Sequence, residues 1–169
     1  MFCLLYRSLQ GSEVEFFSFL IPMEKLFERF IAKSIEGVVE GKVQVQRPIG
    51  HLAEKDRKKL FYLVPDVVLE SDTITVIDTK YKLLDPEDRK MGISQQDLYQ
   101  MYAYCKELNS KRCVLIYPEG LNGEISCDLS LGKEGIDLHV RTLPLENIFE
   151  NSRLSDEFVK RLKNVMGET

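Results

Sequence analysis

A chain of 169 residues and 19.6 kDa has room for one ordinary domain and not for two. Apolar residues make up 44% and charged residues 30%, which excludes a membrane bundle and a disordered tail. The net charge of −4, from 23 basic and 27 acidic residues, argues against binding nucleic acid through overall basicity. The acids are unevenly placed, however. Residues 61–79 hold no basic residue and four acids, Asp66, Glu70, Asp72 and Asp78, the kind of acidic centre that a divalent cation requires.

In chain order, residues 2–9 read as the end of a helix, and residues 1–22 as the end of a preceding helix with a lead-in segment. Arg7, Glu13 and Glu15 break up the apolar content of this stretch, so it is neither a signal peptide nor a membrane span, and a cytoplasmic protein is expected. Residues 23–169 form the domain proper. Pro22 takes the favoured first position of a helix whose stripe is Leu26, Phe27, Phe30, Ile31, Ile35 and Val38, closed by Gly41. KVQVQR alternates like a half-buried strand, and FYLVPDVVLE and TITVIDTKYK are apolar, β-branched runs joined at Ser71-Asp72 as a hairpin. After a polar stretch, a second helix starts near Gln95 with Leu98, Met101, Tyr102, Cys105 and Leu108 on its core stripe. RCVLIYP reads as a strand buried on both faces, IDLHVRTL alternates, and SDEFVKRLKNV is a capped amphipathic helix. The pattern predicts an α/β domain with a mixed sheet and helices packed on it.

Three polar residues interrupt the central strands. Asp66 breaks LVPDVVL, and Asp78 and Lys80 break TVIDTKY. Alternation puts Asp78 and Lys80 on one side, about 6–7 Å apart, and hairpin pairing brings Asp66 close to them. Two carboxylates and an ammonium in apolar surroundings are costly unless they serve a cation or a substrate. Metal-assisted phosphodiester hydrolysis uses this set: Mg²⁺ is held by one or two carboxylates plus phosphate oxygens, and a nearby Lys adds positive charge where negative charge develops. Asp66 and Asp78 are then the metal ligands, with the Thr79 carbonyl as a further oxygen ligand, and Lys80 is the electrostatic and general-base partner. On the second helix, Asp97, Gln100 and Tyr104 form a stripe beside the apolar one. From there Gln100 and Tyr104 can reach the carboxylates.

PMEKLFERFI, LVPDVVL, VIDTKYK, DLYQMYAY and VLIYP, in that order, resemble the McrC-type nuclease subunits of McrBC 5-methylcytosine-specific restriction systems. More broadly they are similar to the PD-(D/E)xK nuclease superfamily, and QMYAY resembles the QxxxY motif of its RecB-like branch. The resemblance runs from about residue 2 to 118. It implies a restriction-endonuclease-like mixed β-sheet flanked by helices and a Mg²⁺-dependent DNA endonuclease, with Mn²⁺ as a substitute. It also implies Asp66 and Asp78 as metal-binding, Lys80 as catalytic, and Gln100 and Tyr104 as the accessory pair. The first helix contributes an acid, Glu28, with Glu24 as the weaker choice. DNA is the implied substrate, and a McrB-type AAA+ GTPase is the implied partner that delivers modified sites.

Two rivals remain at this stage: a RecB-like exonuclease with an iron–sulfur cluster, and a non-catalytic binding or assembly module on the same fold. Cys105, Cys113 and Cys127 are too scattered for such a cluster. The four cysteines, Cys3 included, read as buried or neutral thiols. His139 reads as a residue on a solvated strand face, and the KDRKK run at 55–59 as a solvated turn or a basic edge for DNA phosphates. No glycine-rich phosphate loop is present.

Overall fold

The computed structural model describes residues 2–10 and 13–167, with side chains from Ile21 onward. The elements run β1 (Phe2–Gln10), β2 (Glu13–Ile21), α1 (Met23–Val38), β3 (Lys42–Val45), β4 (Gly50–Lys55), β5 (Lys58–Leu63), β6 (Val67–Glu70) and β7 (Ile74–Thr79). They continue with α2 (Gln95–Leu108), β8 (Arg112–Pro118), β9 (Ser126–Leu131), β10 (Ile136–Leu143), β11 (Phe149–Glu150), β12 (Arg153–Leu154) and α3 (Asp156–Met166). Six strands form one mixed sheet in the order β3-β6-β7-β8-β10-β9. Its centre, β7-β8-β10, is parallel, and antiparallel strands flank it on both sides.

The sheet separates two cores. Phe27, Ile31 and Ile35 of α1 and Phe158, Leu162 and Val165 of α3 pack on Val67, Leu69, Ile77, Val114 and Ile116. On the other face, Met101, Tyr104 and Cys105 of α2 pack on Val76, Cys113, Leu115 and Tyr117. Odd-numbered residues of β7 therefore face α1 and even-numbered ones face α2, as a period of two requires. Helices cover both faces of the parallel centre, so β8 is buried from Cys113 to Pro118, and RCVLIYP reads in the sequence as a continuous apolar run. Among the described residues, no helix is long and apolar enough to cross a membrane.

Several expectations are corrected. Residues 2–9 are not a helix end: β1 pairs antiparallel with β2 from Phe2↔Ile21 to Gln10↔Glu13. Two runs rich in aromatic and aliphatic residues flank Gly11-Ser12, a hairpin signal that outweighs their apolar content. FYLVPDVVLE is not one strand. Pro65 has no N–H to donate to a ladder, and the chain breaks there into β5, which pairs only with β4, and β6, which pairs with β3 and β7. The predicted β6–β7 hairpin about Ser71-Asp72 is present. Leu26 lies outside the buried stripe of α1, at 46% exposed. Gly41 does not close that helix, which ends at Val38. Gly41 has φ +129°, and a Cβ there would come within 2.8 Å of the Glu70 carbonyl, so β6 packs against its bare backbone.

Candidate metal and phosphodiester site

The register that pairs Val67 with Ile77 carries Asp66 to the level of Asp78 and Thr79, where β7 ends. Thr79 faces α1, and its backbone N–H and hydroxyl both donate to Asp66 Oδ2, at 2.8 and 2.7 Å. Asp78 and Lys80 lie on the α2 side. Lys80 is just past the strand, not in it, and its N–H donates to the Ile116 carbonyl at 2.9 Å, so the strand geometry is held one residue further than the ladder. The Lys80 ammonium sits 2.5 Å from Asp78 Oδ2. This close ion contact is the one side-chain partner of Asp78 among the described ion pairs and hydrogen bonds, and the oxygen that makes it is buried.

Helix α2 supplies the second wall. Ser94 and Asp97 close a reciprocal capping box at its start, which fixes where the first turn points. Lys80 Nζ donates to Gln100 Oε1 at 2.9 Å, Gln100 Nε2 donates to the Tyr104 hydroxyl at 2.7 Å, and that hydroxyl donates to the Val64 carbonyl at 3.0 Å. An ammonium only donates, which sets the amide orientation of Gln100 and the direction of the whole chain. Gln100 and Tyr104 are thus no solvated helix edge. They tie Lys80 to the backbone one residue before Pro65.

An open cleft of about 590 Å³ gathers Glu24, Glu28, Asp66, Asp78, Thr79, Lys80 and Gln100. Tyr104 stands behind Gln100 and is buried. Glu28 is buried near Asp66 and accepts from Lys25 Nζ at 2.8 Å, whereas Glu24 is exposed. Lys82 and Gln46 also line the cleft, and the sequence reading missed both. Lys82 was detectable: it continues the Asp78, Lys80 alternation by one more step and donates to Asp97 Oδ2 at 2.8 Å. Gln46 was not, because it enters the cleft through a left-handed backbone (φ 47°) that no local motif announces.

The electrostatics single out two carboxyls. Burial raises Asp78 to about 6, aided by repulsion from Asp66 and opposed by Lys80. Burial also raises Asp66, against the two Thr79 hydrogen bonds, and the charge of Glu28 adds to the rise. Burial works against Asp97 as well, yet Lys82 and Ser94 together hold it below the usual carboxylate range. Among the described residues, no three His, Cys, Asp or Glu side chains come together as a ready-made metal cage. That excludes a cluster built on Cys105, Cys113 and Cys127. Cys105 and Cys113 meet between α2 and β8, and Cys127 lies on β9. Mg²⁺ needs no such cage, because one or two carboxylates plus water and phosphate oxygens suffice. Two neighbouring carboxyls, Asp66 and Asp78, that line an open cleft and share one nearby ammonium suit it.

The chain resembles a solved chain from a refined half-complex of the tetradecameric assembly of Thermococcus gammatolerans McrB AAA+ hexamers with bound McrC. The TM-score is 0.58 at 18% sequence identity, and the match covers 91% of this chain and 34% of that one. This likeness is one of fold, and the chain spans about a third of the length of that relative. No curated protein matches. The family model described as McrBC 5-methylcytosine restriction system component matches residues 4–118, a stretch that includes both carboxyls, the lysine and the Gln–Tyr pair. The chain belongs to the family of McrBC 5-methylcytosine restriction system components.

Proposed function

We propose that the chain is the DNA-cleaving domain of its restriction system, a PD-(D/E)xK-type endonuclease dependent on Mg²⁺ or Mn²⁺. The observation that carries this reading is the Asp66–Asp78–Lys80 group, two adjacent carboxyls with one ammonium on the wall of an open cleft. Asp66 and Asp78 would hold the ion, with Glu28 beside them and the Thr79 carbonyl as a further oxygen. An ion held there supplies Lewis-acid activation of water and neutralises charge on the phosphate.

The residues of the chain do the positioning. Thr79 grips one oxygen of Asp66 with two donors and leaves the other uncommitted among the described hydrogen bonds. Gln100 and Tyr104 hold the Lys80 ammonium in place without competing for its charge. Lys80, as an ammonium, orients the attacking water and adds positive charge where the phosphate gains negative charge. The similar solved chain comes from an assembly of McrB AAA+ hexamers with bound McrC, and by extension a McrB-type AAA+ GTPase delivers methylated DNA to this domain in the cytoplasm.

Incubation of supercoiled plasmid with the protein in Mg²⁺, Mn²⁺ or EDTA tests the reading. Nicking or linearisation in both metals and none in EDTA is expected. Cleavage that persists in EDTA, or that an Asp78→Asn substitution leaves at full rate, rules it out.

A further inference from the structure

Strands β4 and β5 form a two-stranded ribbon outside the main sheet. Its two feet are built into the cleft. On one side Gln46 lines the cleft, and its N–H donates to the Asp66 carbonyl at 3.0 Å. On the other, Val64 lines the cleft and accepts from Tyr104. The ribbon closes between these feet through Ile49 N–H to the Leu63 carbonyl at 2.9 Å. Beyond them the strands pair only with each other, from Gly50↔Leu63 to Lys55↔Lys58. Six residues at about 3.4 Å each carry the tip roughly 20 Å from the feet, the length of about six base pairs of duplex.

The ribbon is exposed on both faces and carries the wrong residues for an idle loop. Phe61, Leu52 and Tyr62 are 71%, 66% and 57% exposed. Phe61 has φ 56° and stands where the register would set it opposite Leu52, the one pair missing from the ladder. A bulky residue in the left-handed region inside a strand is a genuine outlier, and strain kept at an exposed position is a mark of use. At the tip, Lys55, Arg57, Lys58 and Lys59 fall within five residues. None of them forms an ion pair among the described residues. With Glu54 and Asp56, the tip is net positive on a chain of net charge −4.

We propose that the β4–β5 ribbon is a clamp for duplex DNA, with its four tip cations on the phosphate backbone and Phe61 and Tyr62 against the groove. This assignment rests on the nuclease reading of the adjoining cleft, because it is the path of a duplex through that cleft that brings phosphates to the tip. A cleft lined by Glu28, Asp66 and Asp78 repels a polyanion. A chain of this charge therefore needs a local basic foothold, and the ribbon is the element that rises from the rim of the cleft and supplies one. Each phosphate neutralised at the tip releases counterions and adds to both affinity and salt dependence.

The test is fluorescence anisotropy of a labelled duplex in EDTA, at several salt concentrations, with the full chain. The tip variant carries Lys55→Gln, Arg57→Gln, Lys58→Gln and Lys59→Gln. A control with the same loss of charge carries Lys33→Gln, Lys111→Gln, Lys133→Gln and Lys160→Gln at exposed positions elsewhere. The tip variant should lose about tenfold or more in affinity, and its log–log salt slope should flatten by about two to four. The control should lose far less. A tip variant with Lys58→Arg and Lys59→Arg alone should bind like wild type. Equal losses in tip variant and control, or a tip variant that binds like wild type, overturn the clamp. So does a ribbon variant that keeps its DNA affinity but loses association with a protein partner. Binding needs no cleavage, so a protein that binds through the tip and never nicks plasmid in Mg²⁺ removes the nuclease reading and leaves the ribbon as a DNA contact. One that nicks plasmid with an indifferent tip does the reverse.

Discussion

Two groups of carboxyls lie on one sheet and are treated in opposite ways. Across edge strand β9 and its neighbour β10, Asp128 Oδ1 meets Arg141 Nη1 at 2.7 Å and His139 Nδ1 at 2.8 Å. Those partners hold Asp128 below the usual carboxylate range. At the end of β7, Asp78 is almost wholly buried and has one cation beside it and a second acid close by. It is held above that range. Asp128 thus has two partners on one oxygen and stands largely in solvent, whereas Asp78 shares a single ammonium with a neighbouring acid inside the fold. Leaving Asp78 under-paired costs stability, and a site of that kind persists where an incoming cation or substrate completes it.

Breaking the under-paired site should have the largest effect. Asp66→Ala or Asp78→Ala should abolish metal-dependent nicking, a fall of about a thousandfold or more given that both are assigned to the ion, while circular dichroism stays native. Asp128→Ala, which removes an exposed acid held by Arg141 and His139, should leave the nicking rate within about twofold. If the outer-strand substitution matched the inner ones, the contrast between the two groups would carry no functional meaning.

The lysine comes next. Lys80→Ala should slow single-turnover cleavage by roughly a hundredfold or more at saturating protein, since its charge acts where the transition state gains negative charge. DNA affinity should change by only a few fold. An unchanged single-turnover rate removes Lys80 from the mechanism. Tyr104→Phe keeps the buried ring and deletes the hydroxyl that links Gln100 to the Val64 carbonyl. It should cost about tenfold in turnover, with substrate affinity held. A loss confined to thermal stability would make the Gln100–Tyr104 pair a packing feature and nothing more.

How much of this was readable in the residues alone follows from which forces are local. Asp66, Asp78 and Lys80 were legible because strand alternation and one tight hairpin bring them together, and each depends on few neighbours. Gln100 and Tyr104 were legible as a helix stripe. Their hydrogen-bonded chain to Val64 was not, because it joins residues 40 apart. The ribbon was hidden by Pro65, which ends one strand and precedes another without leaving a loop-like run. His139 was read as solvated from its place in an alternating strand. In the fold it is half-buried, with Arg112 Nη1 2.8 Å from its Nε2 and Asp128 on its Nδ1. Asp128 lies directly opposite it across the β9–β10 hairpin, but Arg112 comes from β8, 27 residues away, and no local pattern encodes that contact. The pairing of β1 with β2 is masked in the sequence by the apolar content of both runs, which suits a helix as well as a strand.

The smallest expected effect sharpens the comparison in free energy alone, in metal-free protein. Asp78 titrates at about 6 in the folded chain against 3.8 as its ordinary value. The folded state therefore holds a proton that the unfolded state has lost between those two values, and stability falls as pH rises through that window. Above it the cost is complete and constant. Asp78→Asn removes the titration, so its melting temperature in EDTA should exceed that of wild type at about pH 7.5, by the equivalent of about 1–3 kcal/mol. The difference should close as pH is lowered to about 4. Asp128 carries the opposite sign. Its lowered value contributes stability above 3.8 that is lost as pH falls through its folded value. Asp128→Asn should therefore lower the melting temperature slightly at neutral pH, by no more than about 0.5 kcal/mol for so exposed a group, and have no effect in acid. Paired thermal melts at the two pH values check both signs. A wild-type protein that gains stability between about pH 4 and 6 relative to Asp78→Asn would reverse the inner carboxyl's role. It would make Asp78 one more paired acid, like the one on the outer strand.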